Sequence, residues 1–277
     1  MKSMLKNILQ FKCHRQLNRR LTNLICITLV GFFLSACAST SNIPTQPKLA
    51  TKSEAVKDDN ALIHAKLAQE YMRQKQYATA KSELEEALRI NRNHSHSNYV
   101  MALLMMQLNQ YSDAEYYFER SVESDRENSS AAHDFGVFLC QTGKERKSIR
   151  YFEIAVSNPL FDSAELSYMR AGECLSKIED PQAEQYLKKA LSINPRLRPA
   201  LLRLAIVNQQ SEKFLSARAY IERYFAITEP QPESLLLAYQ IESSLNAADV
   251  ASAYRKQLLN NFPSSEQARS LRGSGRL

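Results

Sequence analysis

A repeated spacing of small and large residues constrains the fold of this 277-residue chain more than any other feature. From residue 61 onward the same pattern recurs every 34 residues. Small residues stand at positions 8, 20 and 27 of a unit and a large apolar residue stands at position 24, as with Ala68, Ala80, Ala87 and Leu84. Small residues let neighbouring helices approach closely, and the large residue fills the space between them. The pattern therefore predicts stacked pairs of antiparallel helices.

Six units carry this pattern, at residues 61–94, 95–128, 129–162, 165–197, 198–231 and 232–265. The fourth unit is one residue short, and in the sixth unit Ala238 lies one position early. The period is that of the tetratricopeptide repeat (TPR), whose single units cannot bury their apolar faces alone. We expect an all-α, right-handed superhelical TPR solenoid of about six repeats, with a bend or pause at the Asn-Pro-Leu-Phe interruption of residues 158–161.

The N-terminus has the features of an export signal. Six Lys and Arg residues precede an apolar run at residues 21–34, which is too short to span a bilayer. The run ends in Leu-Ser-Ala before Cys37, which matches the lipobox of bacterial lipoprotein precursors. We predict that residues 1–36 are a signal peptide and that Cys37 carries lipid, with more than one acyl chain anchoring the protein stably. A short membrane anchor with an incidental cysteine is the alternative.

Two segments flank the predicted repeats. Residues 37–60 are rich in Ser, Thr, Pro and Lys and poor in large apolar residues, which predicts a lipidated N-terminus followed by a flexible tether. Residues 266–277 are predicted to be a C-terminal tail.

Composition and motifs exclude several function classes. The first 36 residues hold six of the 36 Lys and Arg and none of the 29 Asp and Glu, so the rest of the chain is nearly neutral at +1 and nucleic-acid binding is not expected. No phosphate-binding, nucleophile or zinc motif occurs, so we expect no enzyme, cofactor or metal site. A metal site of His96, His133 and Cys140 is conceivable, but scattered solvated histidines are the favoured interpretation.

The inner groove of the solenoid is the predicted binding surface. First-helix positions 2, 5, 9 and 12 line that groove in TPR folds, and in the first two units they are mostly apolar with two methionines. Such a surface suits an amphipathic helix or an extended segment of a protein partner. The alternative is that these side chains belong to the core. The predicted groove residues are Leu62, Ala65, Gln69, Met72, Tyr99, Leu103 and Met106.

Cys140 and Cys174 are the two cysteines that follow Cys37. The export signal places them in an oxidising compartment, and both lie in the middle of first helices of neighbouring units. We therefore predict a disulfide between them, with two buried free thiols as the alternative.

The overall layout resembles the PilF/PilW family of type IV pilus biogenesis lipoproteins, the secretin pilotins. The resemblance is carried by Cys37, by six TPR units, by the break at residues 157–161 and by the ending at residues 259–266. It implies an outer-membrane lipoprotein on the periplasmic face that binds type IV pilus secretin subunits and promotes their localisation and multimerisation. We expect a monomer apart from that partner. A periplasmic TPR adaptor for a protease or cell-wall enzyme, or a component of β-barrel assembly, is the alternative.

Overall fold

The computed structural model describes residues 52–273, which form thirteen α-helices and no strand. No helix between these residues combines the length and the hydropathy needed to span a bilayer. The predicted signal peptide, the lipidation of Cys37 and the first part of the predicted tether lie outside the described residues. In chain order the helices are α1 (Lys52–Arg73), α2 (Tyr77–Ile90), α3 (Ser95–Gln107), α4 (Tyr111–Ser124), α5 (Ser129–Gln141), α6 (Glu145–Ser157), α7 (Ala164–Lys177), α8 (Gln182–Ile193), α9 (Arg198–Gln210), α10 (Phe214–Phe225), α11 (Pro232–Ser244), α12 (Ala248–Asn261) and α13 (Glu266–Gly273).

The turn inside each helix pair has the same backbone geometry in all six units. One residue of each turn adopts a left-handed conformation, with φ between 53° and 76°. The residue after it donates its N–H to a carbonyl five positions earlier, as from Gln76 to Tyr71 at 2.8 Å and from Lys213 to Asn208 at 2.8 Å. This hydrogen bond satisfies a carbonyl that the helix end would leave unpaired, and the chain reverses within three residues, or four in the fourth repeat. The left-handed residues are Lys75, Asn109, Gly143, Glu179, Glu212 and Asn246.

The small residues of the repeat lie where the sequence pattern places them, in the contacts between helices. Ala68, Ala80 and Ala87 are fully buried, together with the large residue Leu84. In the next units the core is aromatic, and the rings of Phe118 and Phe135 stack with their centroids 5.3 Å apart. The predicted all-α TPR fold is therefore confirmed for the described residues.

Both ends of the solenoid are longer than predicted. Helix α1 begins at Lys52, so residues 52–60, which we assigned to a flexible tether, are helical, and residues 53–60 are mostly exposed. Helix α13 occupies most of the predicted C-terminal tail, and its residues Ala268 and Leu271 are buried against Leu235 and Leu258 of the last repeat. This short helix covers apolar surface that no seventh repeat is present to cover within the described part of the chain.

The interruption between the third and fourth repeats does not break the core. Helix α6 ends at Ser157 and α7 begins at Ala164, so residues 158–163 form the connection. Phe152 of α6 nevertheless packs in one cluster with Ala171 and Leu175 of α7. Asn158 orders the connection, because its side-chain oxygen accepts the N–H of Leu160 at 2.9 Å.

Candidate binding surface

The first helices of the repeats form one side of the solenoid. First helices of neighbouring repeats contact one another: α1 contacts α3, α5 contacts α7, and α7 contacts α9. Within residues 52–273 no two second helices show comparable contact. A stack whose first helices approach each other more closely than its second helices curves towards the first helices. The first helices α1, α3, α5, α7 and α9 therefore line the inner surface.

The predicted groove residues of the first two repeats prove to be intermediate between surface and core. Ala65 was assigned to the groove wrongly: it has no exposed surface and belongs to the core of the first three repeats, so it cannot contact a partner. The other six are partly buried. Four of these six also pack against that core, namely Met72, Tyr99, Leu103 and Met106. Leu62 and Gln69 are partly buried without forming part of the core cluster.

Tyr99 has a structural contact that the sequence did not indicate. Its hydroxyl donates to Oδ2 of Asp134 at 2.6 Å and so connects the second repeat to the third. Burial raises the pKa of Tyr99 well above its usual range, and the negative charge of Asp134 raises it further. The hydroxyl therefore stays protonated and keeps this link, while the ring packs near His96 and Phe118.

The four histidines between residues 52 and 273 are partly buried, which corrects the expectation that they are solvated. His94 precedes α3 and its Nδ1 accepts the N–H of Ser97 at 3.2 Å, which caps the helix. His133 Nδ1 lies 2.7 Å from the hydroxyl of Ser167 in the next repeat. Burial is the main cause that lowers the pKa of His94, His96 and His133. Within residues 52–273 no three His, Cys, Asp or Glu side chains are grouped as metal ligands would be.

A disulfide joins the repeats on either side of the interruption. Cys140 of α5 and Cys174 of α7 are bonded, with their Cα atoms 5.8 Å apart. Cys174 is fully buried, and the hydroxyl oxygen of Ser148 lies 3.3 Å from its sulfur. Arg146 adds an ion pair across the same junction, at 2.7 Å from the largely buried carboxylate of Asp180.

Two glycines permit close helix packing within the repeats on either side of this junction. A Cβ atom on Gly136 would lie 2.8 Å from the ring of Phe152, and one on Gly172 would lie 2.5 Å from Cγ of Leu187. Both distances are shorter than carbon atoms tolerate. Both glycines stand at position 8 of their units, where the first two repeats have alanine. In the third and fourth repeats, therefore, first and second helices pack closer than an alanine would allow.

A group of basic residues on the inner surface was not predicted from the sequence. Arg170, Lys177 and Arg203 line a cavity of about 280 Å³ beside the disulfide. They stand at positions 6 and 13 of their units, next to the positions 5 and 12 that we examined. A helical face is wider than one line of residues, so including the adjacent positions of the fourth and fifth units would have found them.

Comparisons with known proteins agree with this fold. A sequence profile of the tetratricopeptide repeat matches residues 71–136. No curated protein sequence matches the chain. The crystal structure of PilW, a widely conserved type IV pilus biogenesis factor, shares 28% identity and a TM-score of 0.62, covering 76% of this chain and 97% of that one.

Two further solved structures support the fold alone. PilF of Pseudomonas aeruginosa shares 20% identity and a TM-score of 0.63, covering 79% of this chain and 99% of that one. YrrB, a TPR protein with an unusual peptide-binding site, shares 15% identity and a TM-score of 0.58, covering 69% of this chain and 97% of that one. The described chain is therefore a TPR solenoid, a fold typical of scaffolds that bind other proteins.

Proposed function

We propose that this protein acts in type IV pilus biogenesis as an outer-membrane lipoprotein that binds secretin subunits and promotes their localisation and multimerisation. The observation that carries the proposal is the similarity to PilW, which extends over 97% of the PilW chain at 28% identity. The similarity covers 76% of this chain, so it includes far more than one repeat.

The inner surface of the first two repeats is the proposed secretin-binding site. Leu62, Met72, Leu103 and Met106 are apolar and partly exposed there. Methionine side chains are flexible and polarisable, so they adapt to the shape of an incoming apolar segment. An amphipathic helix or an extended segment of the secretin would gain free energy by covering this surface.

Membrane attachment through Cys37 is the other part of the proposal. A lipid on Cys37 would hold the solenoid at the periplasmic face of the outer membrane, where secretin subunits assemble. Mass spectrometry of the membrane-bound protein should then show an N-terminal acylated cysteine. An acyl-free N-terminus on that protein would contradict the lipid anchor.

The first test is deletion of the gene. We expect loss of the multimeric secretin and of surface pili, with unchanged amounts of other outer-membrane proteins. Unchanged secretin multimers would contradict the proposed function. A general loss of outer-membrane β-barrel proteins would instead favour a role in β-barrel assembly.

The binding surface is tested by Leu62→Glu and Leu103→Glu. A charge in a buried apolar contact should weaken secretin binding by a few kcal/mol and reduce the multimer in cells. Leu215→Glu is the matched control, because Leu215 is 70% exposed on the second helix of the fifth repeat. Leu62 lies outside the core cluster, so its variant should keep the wild-type unfolding temperature. Normal secretin assembly with both variants folded would refute the site.

A further inference from the structure

A second feature of the inner surface lies in the third to fifth repeats, away from the proposed secretin site. The cavity beside the disulfide has a volume of about 280 Å³, which is enough for one or two side chains. Its wall combines apolar groups with basic ones. Val137 and Cys140 provide the apolar part, and Arg170, Lys177 and Arg203 provide the basic part.

The charges of this cavity are not balanced by the protein. Arg170 pairs with Glu173 at 2.9 Å, and Glu173 is the single acidic residue lining the cavity. Lys177 and Arg203 form no ion pair with any residue between 52 and 273. Three cations and one anion therefore leave a local charge of +2 around the cavity. Like charges held together without counter-ions attract an anionic ligand.

The apolar wall limits which anion fits. Val137 packs against the core cluster that contains Phe152 but is, like Cys140, only partly buried. A free inorganic anion would satisfy the cations but leave the exposed part of both side chains in contact with water. A peptide with acidic side chains beside an apolar one matches both parts of the lining. A single C-terminal carboxylate would neutralise only half of the excess charge, whereas two acidic side chains would neutralise it.

We infer that this cavity binds an internal acidic segment of a protein partner, with two carboxylates on Arg170, Lys177 and Arg203 and an apolar side chain against Val137 and the disulfide. The inference goes beyond the proposed function, because it does not require the partner to be a secretin. It adds to the apolar surface of the first two repeats a charged contact that fixes the position of a bound segment along the solenoid.

The probe is a labelled eight-residue peptide of alternating Leu and Glu, acetylated and amidated at its ends, titrated against the full chain in detergent. We expect binding that weakens with added salt, since the contacts are between partly exposed charges. Replacing each Glu by Gln in the peptide should abolish it. The double variant Lys177→Gln/Arg203→Gln should bind roughly threefold to tenfold more weakly.

The matched control is Arg255→Gln/Lys256→Gln, which removes the same charge from exposed positions of the last repeat. It should bind the Leu-Glu peptide as the wild type does. Leu62→Glu should also leave this binding unchanged, which separates the inference from the secretin proposal. Lys177 is exposed, so its variant should unfold at the wild-type temperature; if the double variant unfolds early, Lys177→Gln alone provides the measurement.

Four results with these peptides and variants would overturn the inference, and a fifth comes from one further peptide. They are absence of binding to the wild type, equal binding of the Leu-Gln peptide, equal weakening by the control variant, and unchanged affinity of a folded Lys177 variant. A further peptide, with Gln in place of each Glu and one free C-terminal carboxylate, tests whether the cavity binds a chain end instead of acidic side chains. If it binds more tightly than the Leu-Glu peptide, the cavity recognises chain ends and the inference is wrong.

Discussion

The first two repeats and the junction of the third and fourth repeats use one repeat pattern in two ways. Position 8 is alanine in the first two repeats, as at Ala102, and their apolar residues remain partly open on the inner surface. In the third and fourth repeats position 8 is glycine and the two helices of each repeat pack closer, and the inner surface near their junction holds a disulfide and a set of cations.

Small residues therefore set the spacing of the helices, while the side chains at neighbouring positions determine which groups the inner surface presents. Stability in a solenoid is approximately a sum of contacts between neighbouring repeats. The interruption at residues 158–163 lies at one such contact, and the disulfide, the Arg146–Asp180 pair and the His133–Ser167 contact all cross it. The junction is thus reinforced where the repeat spacing is irregular, and the first two repeats have no covalent link.

The largest expected effect comes from removing the disulfide. The bond closes a loop of 34 residues, for which the chain-entropy model gives roughly 3–4 kcal/mol. Cys140→Ala/Cys174→Ala should therefore lower the free energy of unfolding by about that amount in a denaturant titration. Reducing agent should destabilise the wild type and leave the variant unchanged.

Hydrogen exchange on the same variant tests whether the effect is local. Amides of α5 to α8 should exchange faster, while those of α1 and α2 should change little, because stability is transmitted between neighbours. If the exchange rates of all amides in the solenoid increase equally, the first two repeats and the junction of the third and fourth repeats unfold together. The two regions would then not differ in stability.

A smaller effect is expected from Gly172→Ala. The added methyl group would lie 2.5 Å from Cγ of Leu187, so the helices α7 and α8 must separate, at an expected loss of about 1–3 kcal/mol. The reciprocal change Ala102→Gly in the second repeat should cost only about 1 kcal/mol through helix propensity. Urea unfolding of the two variants provides the measurement, and a neutral Gly172→Ala would show that close packing does not require this glycine.

The smallest effect concerns pH and is shared by both regions. The pKa of His94, His96 and His133 is lowered in the folded protein, mainly by burial. As pH falls below about 6.5, the histidines bind protons in the unfolded chain before they do so in the folded protein. The free energy of unfolding should therefore decrease. The unfolding temperature should be lower at pH 5.5 than at pH 7.5, by roughly 2–4 °C for each kcal/mol lost.

Histidine variants measure how much each histidine contributes to the pH dependence of the unfolding temperature. His133→Gln keeps a polar group near Ser167 and should reduce the decrease between pH 7.5 and 5.5, as His96→Gln should in the second repeat. Arg269→Gln, at an exposed position of α13, is the control. A pH dependence that is the same in all three variants would assign the effect to other groups.

The helical structure at the two ends of the solenoid was not predicted by the repeat pattern. Residues 52–60 are mostly polar and match no repeat, yet they are helical because they extend a helix that packing has already nucleated. Helix α13 depends on two buried residues, Ala268 and Leu271, whose contacts come from the last repeat. Neither residues 52–60 nor α13 contain enough periodic apolar residues to be predicted as helical from the sequence alone.

The repeat, its period and its helix pairs could be predicted from the order of residues alone, because close packing requires small residues at fixed intervals. Tertiary structure decided which inner-surface residues are accessible. Ala65 and Leu62 stand three residues apart at groove positions, but only Leu62 keeps exposed surface, since the approach of the neighbouring helices sets exposure. It also placed Arg170, Lys177 and Arg203 of two repeats around one cavity, because distances between repeats depend on how the helices stack and not on their order in the chain.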